Sequence, residues 1–273
     1  MDEEGFLKPD FPADAFATTV DDYVRYRVPY PAELMGDLLA RIGTTGSGRL
    51  LDLACGPGRA SLPLAGSFQE IWAVDLEPKM IAAARRLASE RRISNVKWFA
   101  GRAEDLEAPP VHFDLITIGE AFHRLDQRLI AEKCLFWLRP GGFLATIGSY
   151  TLLGGAAPWQ RAIAEVVLKW TGRDFPAILP SQPEKNSGPR HDERALLAAG
   201  FVDVSSHPFL QEFNWTVESI AGFLFSTSIC SRKVLGQYAD AFVADLHSAL
   251  LAHDPGGRFP DQIRFGYTLA RKP

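Results

Sequence analysis

The stretch RLLDLACGPGRASLPLA, residues 49–65, decides the fold. Its first half is apolar apart from Asp52, too short for a helix and right for a buried strand. CGPG then breaks the run, since two glycines and a proline sustain neither ladder nor helix, and RASLPLA restarts with helical spacing. A strand, a bare turn and a helix start let a ligand approach the backbone where no Cβ stands in the way. The next apolar run, EIWAVDL, ends at Asp75, seventeen residues beyond Gly58. An acid there can accept hydrogen bonds from both hydroxyls of a ribose, so a nucleoside is the ligand element indicated. A dinucleotide fingerprint would place a third glycine where Ser61 stands, and no Lys-Ser or Lys-Thr pair follows the turn. A nicotinamide-dependent oxidoreductase and a phosphate-cradling loop are therefore disfavoured.

Outward from this turn the chain alternates. AELMGDLLARIG reads as a helix capped by Gly43; EPKMIAAARRLASERR as a helix; VKWFAGRA and FDLITIGEAF as strands. RLIAEKCLFWLRPGG reads as a helix stopped by Pro140 and its glycines, and FLATIGSY as a fifth strand. Strands separated by helices of this length form a parallel, doubly wound sheet, whose ligands sit at the carboxyl ends of the strands. From residue 151 the character changes. PWQRAIAEVVLKW is a clear helix, while FPAILPSQPEKNSGP is an irregular stretch of the kind that forms lids or binding loops. A helix and strand, two further helices and a final strand, DQIRFGYTLARK, follow. The expected organisation is a cofactor-binding core over residues 1–150, then a lid insertion, cap helices and the last strands of the same sheet over residues 151–273.

With 47% apolar residues and a net charge of −4, the 273-residue chain can bury a large core. It has no basic run to meet nucleic-acid phosphates. No apolar segment reaches membrane-spanning length, and MDEEGFLKPDF is acidic where a secretory signal is basic, so a cytoplasmic protein with no nucleic-acid or membrane partner is expected. Cys55, Cys134 and Cys230 are too scattered for a metal site or disulfide framework.

Several motifs in order resemble the class I S-adenosylmethionine-dependent methyltransferases, in particular the small-molecule members of the methyltransferase type 11 kind. LLDLACGPGR is similar to their first motif, with Ala54 in place of its first glycine. AVDLEPKMIAAAR resembles the ribose and adenine segment, FAGRAEDL the adenine-edge motif, FDLITIGEAFHRLD the fourth-strand motif and CLFWLRPGGFLATIG the fifth. YVRYRVPYP is like a Y-x-x-x-R-P-x-Y-P segment that precedes them, with Val28 between Arg27 and Pro29. The resemblance implies a Rossmann-like, mostly parallel seven-stranded sheet with an inserted and C-terminal helical cap, and S-adenosylmethionine as cofactor. It places Ala54, Gly56 and Gly58 against the adenosyl and methionyl parts, Asp75 on the ribose and Leu76 on the base. Ala103 would offer its N–H to the adenine ring. Arg102 stands where many relatives carry an Asp, so recognition of the amino group passes to Glu104. Gly119 and Glu120 would border the methionine near the sulfonium. Arg27 would pair with the methionine carboxylate or simply tie down its own segment.

Methyl transfer from a sulfonium demands in-line alignment and exclusion of water, with a base optional. His123, after the fourth strand, is the candidate base, or a residue orienting its loop. His191 is a candidate lid contact, with Asp192 a helix cap. Tyr26, Tyr30, Trp159 and Phe223 are candidate walls of an apolar acceptor pocket. The expected function is methyl transfer to a small, partly apolar organic acceptor; the alternative is a non-enzymatic S-adenosylmethionine-binding regulatory or interaction protein.

Overall fold

A computed structural model describes residues 16–150, 152–172 and 191–273. The acidic N-terminal stretch, most of the lid insertion and the side chain of His191 lie outside the described residues. Seven strands form one sheet: β1 Arg49–Leu53, β2 Glu70–Asp75, β3 Val96–Ala100, β4 Phe113–Gly119, β5 Leu138–Tyr150, β6 Val202–Thr216 and β7 Arg258–Arg271, in the order β3-β2-β1-β4-β5-β7-β6. β1 pairs in parallel with both β2 and β4, and β7 runs antiparallel between β5 and β6. The strand order therefore reverses direction at β1/β4, and the crevice of a doubly wound sheet opens there. The expected fold, a mostly parallel sheet of Rossmann-like type with helices on both faces, is what the chain adopts.

Alternation along the strands assigns the two faces. Leu50, Ile71, Leu115, Ala145 and Ile147 join one core cluster with α2 (Ala32–Ile42), α6 (Pro158–Thr171) and α9 (Ala239–Leu251). Leu51, Leu53, Ile116, Ile118 and Leu144 join the opposite cluster with α5 (Gln127–Trp137) and α7 (His191–Ala199). Gly43 ends α2 in the left-handed region at φ 63°, as its position implies. α4 (Pro78–Glu90) starts with Pro78 and a cap in which Glu77 accepts the Lys79 N–H at 3.1 Å. α3 is only one turn, Ser61–Leu64, continued by a 3₁₀ turn over Ala65–Ser67.

One boundary differs from the expected helix stop at Pro140. α5 ends at Trp137, because fully buried Leu138 already pairs with Phe113 across the sheet. Arg139 to Gly142 then form a bulge before Phe143 resumes register opposite Leu115.

The β6/β7 hairpin outruns the rest of the sheet. β5 and β7 stop pairing at Tyr150 and Arg264, whereas β6 and β7 continue to Thr216 and Arg258. This ribbon extends beyond the carboxyl end of β5 and delivers α8 (Val217–Phe225) to the crevice side of the sheet. A reciprocal cap starts that helix: Thr216 Oγ1 accepts the Ser219 N–H at 3.1 Å, and Ser219 Oγ accepts the Thr216 N–H at 2.8 Å. α8 packs against α1 (Val20–Tyr26), so the first and last thirds of the described chain meet above the turn between β1 and α3. Among the described residues no helix is long and apolar enough to cross a membrane.

Candidate functional site

Three residues of the turn after β1 have left-handed backbone: Ala54 at φ 52°, Gly56 at 55° and Gly58 at 86°. Gly58 is held by packing, since a Cβ there would lie 2.9 Å from Leu62 Cγ and 3.2 Å from Trp98. Gly56 differs. A Cβ on it would meet only a Tyr23 ring carbon, at 3.9 Å, so its bareness is set by backbone angle and not by protein packing.

Asp75 closes this turn onto β2. One carboxylate oxygen accepts the Gly56 N–H at 2.7 Å and the other the Glu77 N–H at 2.9 Å. A carboxylate oxygen has two lone-pair sites, so each keeps capacity for one more donor. Burial raises the pKa of Asp75, and the two backbone N–H groups oppose that shift. Beneath it Asp52, buried in β1, accepts from Ser61 N at 3.0 Å, from the Ser61 hydroxyl and from Thr117 Oγ1 at 2.8 Å. Desolvation pushes its carboxyl up to about 6 despite those donors.

Across the crevice β4 ends at Gly119, where a Cβ would lie 2.5 Å from the Tyr30 hydroxyl. Glu120 follows with φ 56°, a conformation costly for a residue with a Cβ. Its N–H is anchored to Ile147 O at 2.8 Å, and its carboxylate accepts the Ser149 hydroxyl. Tyr23, Tyr30, Asp52, Ala54, Arg59 and Gly119 line a small enclosed space at the base of the crevice.

The two arginines here are placed differently. Arg59 sits with its guanidinium 4.2 Å from the Tyr30 ring centre and donates from Nη2 to the Val28 carbonyl. Its Nε is shielded from solvent with no hydrogen-bond partner. Arg27 is turned toward α8: Nε donates to Ser226 Oγ at 2.8 Å and Nη2 to the Ser226 carbonyl at 3.4 Å, between the rings of Tyr23 and Phe223 at 4.9 and 4.7 Å.

Among the other sequence candidates, Leu76 is 42% exposed beside Asp75, an uncommon position for a large apolar side chain. Ala103 is buried at the head of a single turn, Ala103–Asp105. The Glu104 carboxylate is engaged, accepting the Asp126 N–H at 3.3 Å and lying 3.5 Å from Arg102. His123 lies on the turn Phe122–Arg124 with an exposed side chain. Desolvation by the surrounding protein, then the Arg124 charge, hold its imidazole below the ordinary value. Tyr26 rests on Gly222 of α8 and donates to Glu218 at 2.8 Å. Tyr30 is buried at the crevice base, as above. Trp159 is packed in the core against Phe259, ring centres 5.4 Å apart, and Phe223 against Trp215 at 5.5 Å, with only the face toward Arg27 near the crevice. Asp192 accepts the Thr146 and Thr268 hydroxyls, each at 3.1 Å, tying α7 to the sheet.

Sequence reasoning did not single out Tyr23, Asp52 or Arg59. Each had a signal: Tyr23 heads YVRYRVPYP, Asp52 is the one charge in an otherwise apolar buried strand, and Arg59 directly follows the second glycine of the turn.

The geometry matches what comparison with known proteins finds. Residues 50–142 match the family described as Methyltransferase domain. The chain is 25% identical over 179 residues to a demethylmenaquinone methyltransferase of Geobacillus sp. (strain WCH70), spanning 62% of this chain and 76% of that one. It is 34% identical over 157 residues to a ubiquinone biosynthesis O-methyltransferase of Chelativorans sp. (strain BNC1), spanning 56% and 58%. In fold it resembles phosphoethanolamine N-methyltransferase 2 of Haemonchus contortus, solved with S-adenosyl-L-methionine, at TM-score 0.54 and 17% identity over 96% of this chain and 56% of that one. A glycine turn at the switch point, an acid closing it from the next strand and these similarities together identify residues 50–142 as an S-adenosylmethionine-dependent methyltransferase domain.

Proposed function

We propose that this methyltransferase acts in the cytoplasm on a small, partly apolar organic molecule, aligned for in-line displacement between the cofactor core of residues 1–150 and the cap of residues 151–273. Cys55 and Cys134, free and buried, suit a reducing compartment. S-adenosylmethionine, when bound, supplies a methyl group already activated by its sulfonium, and its leaving group departs as a neutral thioether. The protein's task is to bind, orient and exclude water, which is worth about 7–11 kcal/mol when geometry is right.

Asp75 accepts the ribose hydroxyls on the lone pairs left by Gly56 and Glu77. Leu76 covers the base, the Ala103 N–H and the Glu104 carboxylate read the adenine edge, and Gly119 and Glu120 border the methionine. Ala54, Gly56 and Gly58 present bare backbone. Arg59, and not Arg27, takes the methionine carboxylate, because it lines the space beside Ala54 and Gly119 and holds a shielded, unpartnered Nε. His123 accepts the acceptor's proton. Its lowered pKa keeps the imidazole neutral and able to do so at pH 7. Tyr26 and Tyr30 and the ring faces of Phe223 and Trp159 provide apolar surface for the acceptor's body.

The observation that carries this reading is Asp75, fixed by two backbone amides at the carboxyl end of β2. Calorimetric titration with S-adenosylhomocysteine tests it. Replacing Asp75 by Ala removes two charge-assisted hydrogen bonds worth about 1.5–3 kcal/mol each, so affinity should fall by about 10²-fold or more. Asp75→Asn, which keeps the side chain's size, should lose most of that affinity as a folded protein. Unchanged affinity in either variant overturns the assignment. Turnover is read by mass spectrometry of a compound library incubated with deuteriomethyl-labelled cofactor.

A further inference from the structure

Many guanidinium groups of this protein have carboxylate partners. Arg25 pairs with Glu218 at 2.8 Å, Arg232 with Asp22 at 3.6 Å, and Arg139 with Asp114. Exposed arginines without such a partner among the described residues, such as Arg91 and Arg161, are solvated by water; Arg27 and Arg59, at the crevice, are partly buried, and among the described residues neither has a carboxylate within ion-pair distance. Glu120 is the acid both feel, from beyond ion-pair range, and Ser149 holds it. A cation withdrawn from water without a counter-ion is costly, and a site that keeps two of them has anions to receive.

The cofactor supplies only one carboxylate, and the proposed function assigns that to Arg59. Arg27 is left over. Its position belongs to the cap side: Ser226 at the end of α8 fixes Nε, and Phe223 of α8 and Tyr23 of α1 each place a ring within 5 Å of the guanidinium. Of the five N–H donors on an arginine, two are used by Ser226, and the other three remain for a ligand. The two ring contacts and the Ser226 hydrogen bonds hold the guanidinium in place, which favours bidentate recognition of a planar oxyanion.

We propose that Arg27 receives a carboxylate of the methyl acceptor, so that the substrates of this enzyme are small organic acids whose apolar part packs beside Tyr23 and Phe223. The inference rests on the cofactor reading above, and its test separates the two. The protein is first titrated with S-adenosylhomocysteine, then the saturated complex is titrated with benzoate, phenylacetate and octanoate, each against its primary amide. Acid and amide share shape and differ in charge. At least one acid should bind about tenfold or more tightly than its amide. Arg27→Gln should remove that preference while shifting S-adenosylhomocysteine affinity by less than about threefold, whereas Arg59→Gln should weaken S-adenosylhomocysteine itself. Failure of wild-type protein to bind S-adenosylhomocysteine defeats the cofactor reading. Normal S-adenosylhomocysteine binding with acids and amides bound alike, or with no acid bound, overturns the acid-substrate proposal alone. So does an Arg27→Gln variant that loses S-adenosylhomocysteine as severely as Arg59→Gln. The wild-type acid and amide comparison decides even if both variants fold poorly.

Discussion

The two sides of the crevice are held together by different means. On the β1/β2 side the ligand-facing acid is fixed by backbone, Asp75 by the amides of Gly56 and Glu77, and Asp52 beneath it by the Ser61 amide with the hydroxyls of Ser61 and Thr117. On the cap side the fixing contacts are between side chains, or between a ring and a bare helix, and join residues almost 200 positions apart, such as Tyr26 with Glu218 and Arg27 with Ser226. A backbone-fixed acid keeps its place whatever is bound nearby. A side chain pinned by another side chain moves when either helix moves. The first arrangement suits a cofactor that is the same at every turnover, and the second a surface matched to one particular acceptor.

The sharpest way to break this contrast is at His123, on the rim between the two sides. If it is the base, His123→Ala should lower kcat by about 10²-fold, roughly 2.7 kcal/mol, with cofactor affinity unchanged. Because desolvation by neighbouring groups and the Arg124 charge depress its pKa, the wild-type rate should stay flat with falling pH to below the ordinary imidazole value. It should then decline with a slope of one as the imidazole takes up its proton. A His123→Gln enzyme with near-normal kcat would show that the residue only positions its loop.

The next effect lies wholly on the cap side. A Cβ at Gly222 would come within 2.1 Å of the Tyr26 ring, and α1 lies over this position. In an exposed helix Gly→Ala would stabilise by about 1 kcal/mol. Here overpacking reverses the sign, and Gly222→Ala should destabilise by about 1–3 kcal/mol. The acceptor KM should rise more than the Kd for S-adenosylhomocysteine. Equal losses in both would mean that the two sides move as one body, contrary to the contrast drawn above.

How much of this was legible in the sequence follows the same division. β1, its glycine turn, Asp75 and α4 lie within about forty residues, and their meaning depends on local spacing that turn chemistry and alternation express directly. Gly56 and Gly58 showed themselves for that reason. Arg27 stands out in YVRYRVPYP as a carboxylate partner, but its contact with Ser226, far along the chain, does not, because no local pattern links the two. Trp159 reads as a pocket wall from its residue type, and its contact with Phe259, which comes from the β7 ribbon, is again invisible locally. The early end of α5 had the same cause: Leu138 is drawn into the sheet by Phe113, a pairing that outweighs the helix-stop signal at Pro140.

On the backbone-fixed side, Asp52 offers a quieter test. Its folded pKa of about 6 lies above the unfolded value, so the folded protein binds the extra proton. The stability this provides is present in full below the unfolded value near pH 4 and is lost as pH rises through about 6. Asp52→Asn, a mimic of the protonated form, should therefore gain on wild type by about 1–3 kcal/mol between pH 4 and pH 7 in denaturant melts. A pH-independent difference would mean that the hydroxyl and amide donors of Ser61 and Thr117 outweigh desolvation and keep Asp52 ionised throughout.

The smallest effect is expected at Glu218, although on paper it joins α1 to α8 twice, accepting from Arg25 at 2.8 Å and from the Tyr26 hydroxyl at 2.8 Å. The Arg25 and Glu218 side chains are 69% and 67% exposed. An ion pair so wet gains little over hydration, costs the entropy of holding two long side chains, and is screened by salt. Glu218→Gln keeps an acceptor for the Tyr26 hydroxyl and removes only the charge, so it should change stability by less than about 1 kcal/mol. Its effect should shrink further at high ionic strength, with both acceptor KM and cofactor affinity near wild type. Set beside Gly222→Ala four residues along the same helix, it isolates what seats α1. If packing of the Tyr26 ring on Gly222 does so, the glycine variant is the damaging one. If Glu218→Gln instead raises the acceptor KM as much as Gly222→Ala, α1 is held electrostatically, and salt should then weaken acceptor binding without touching the cofactor.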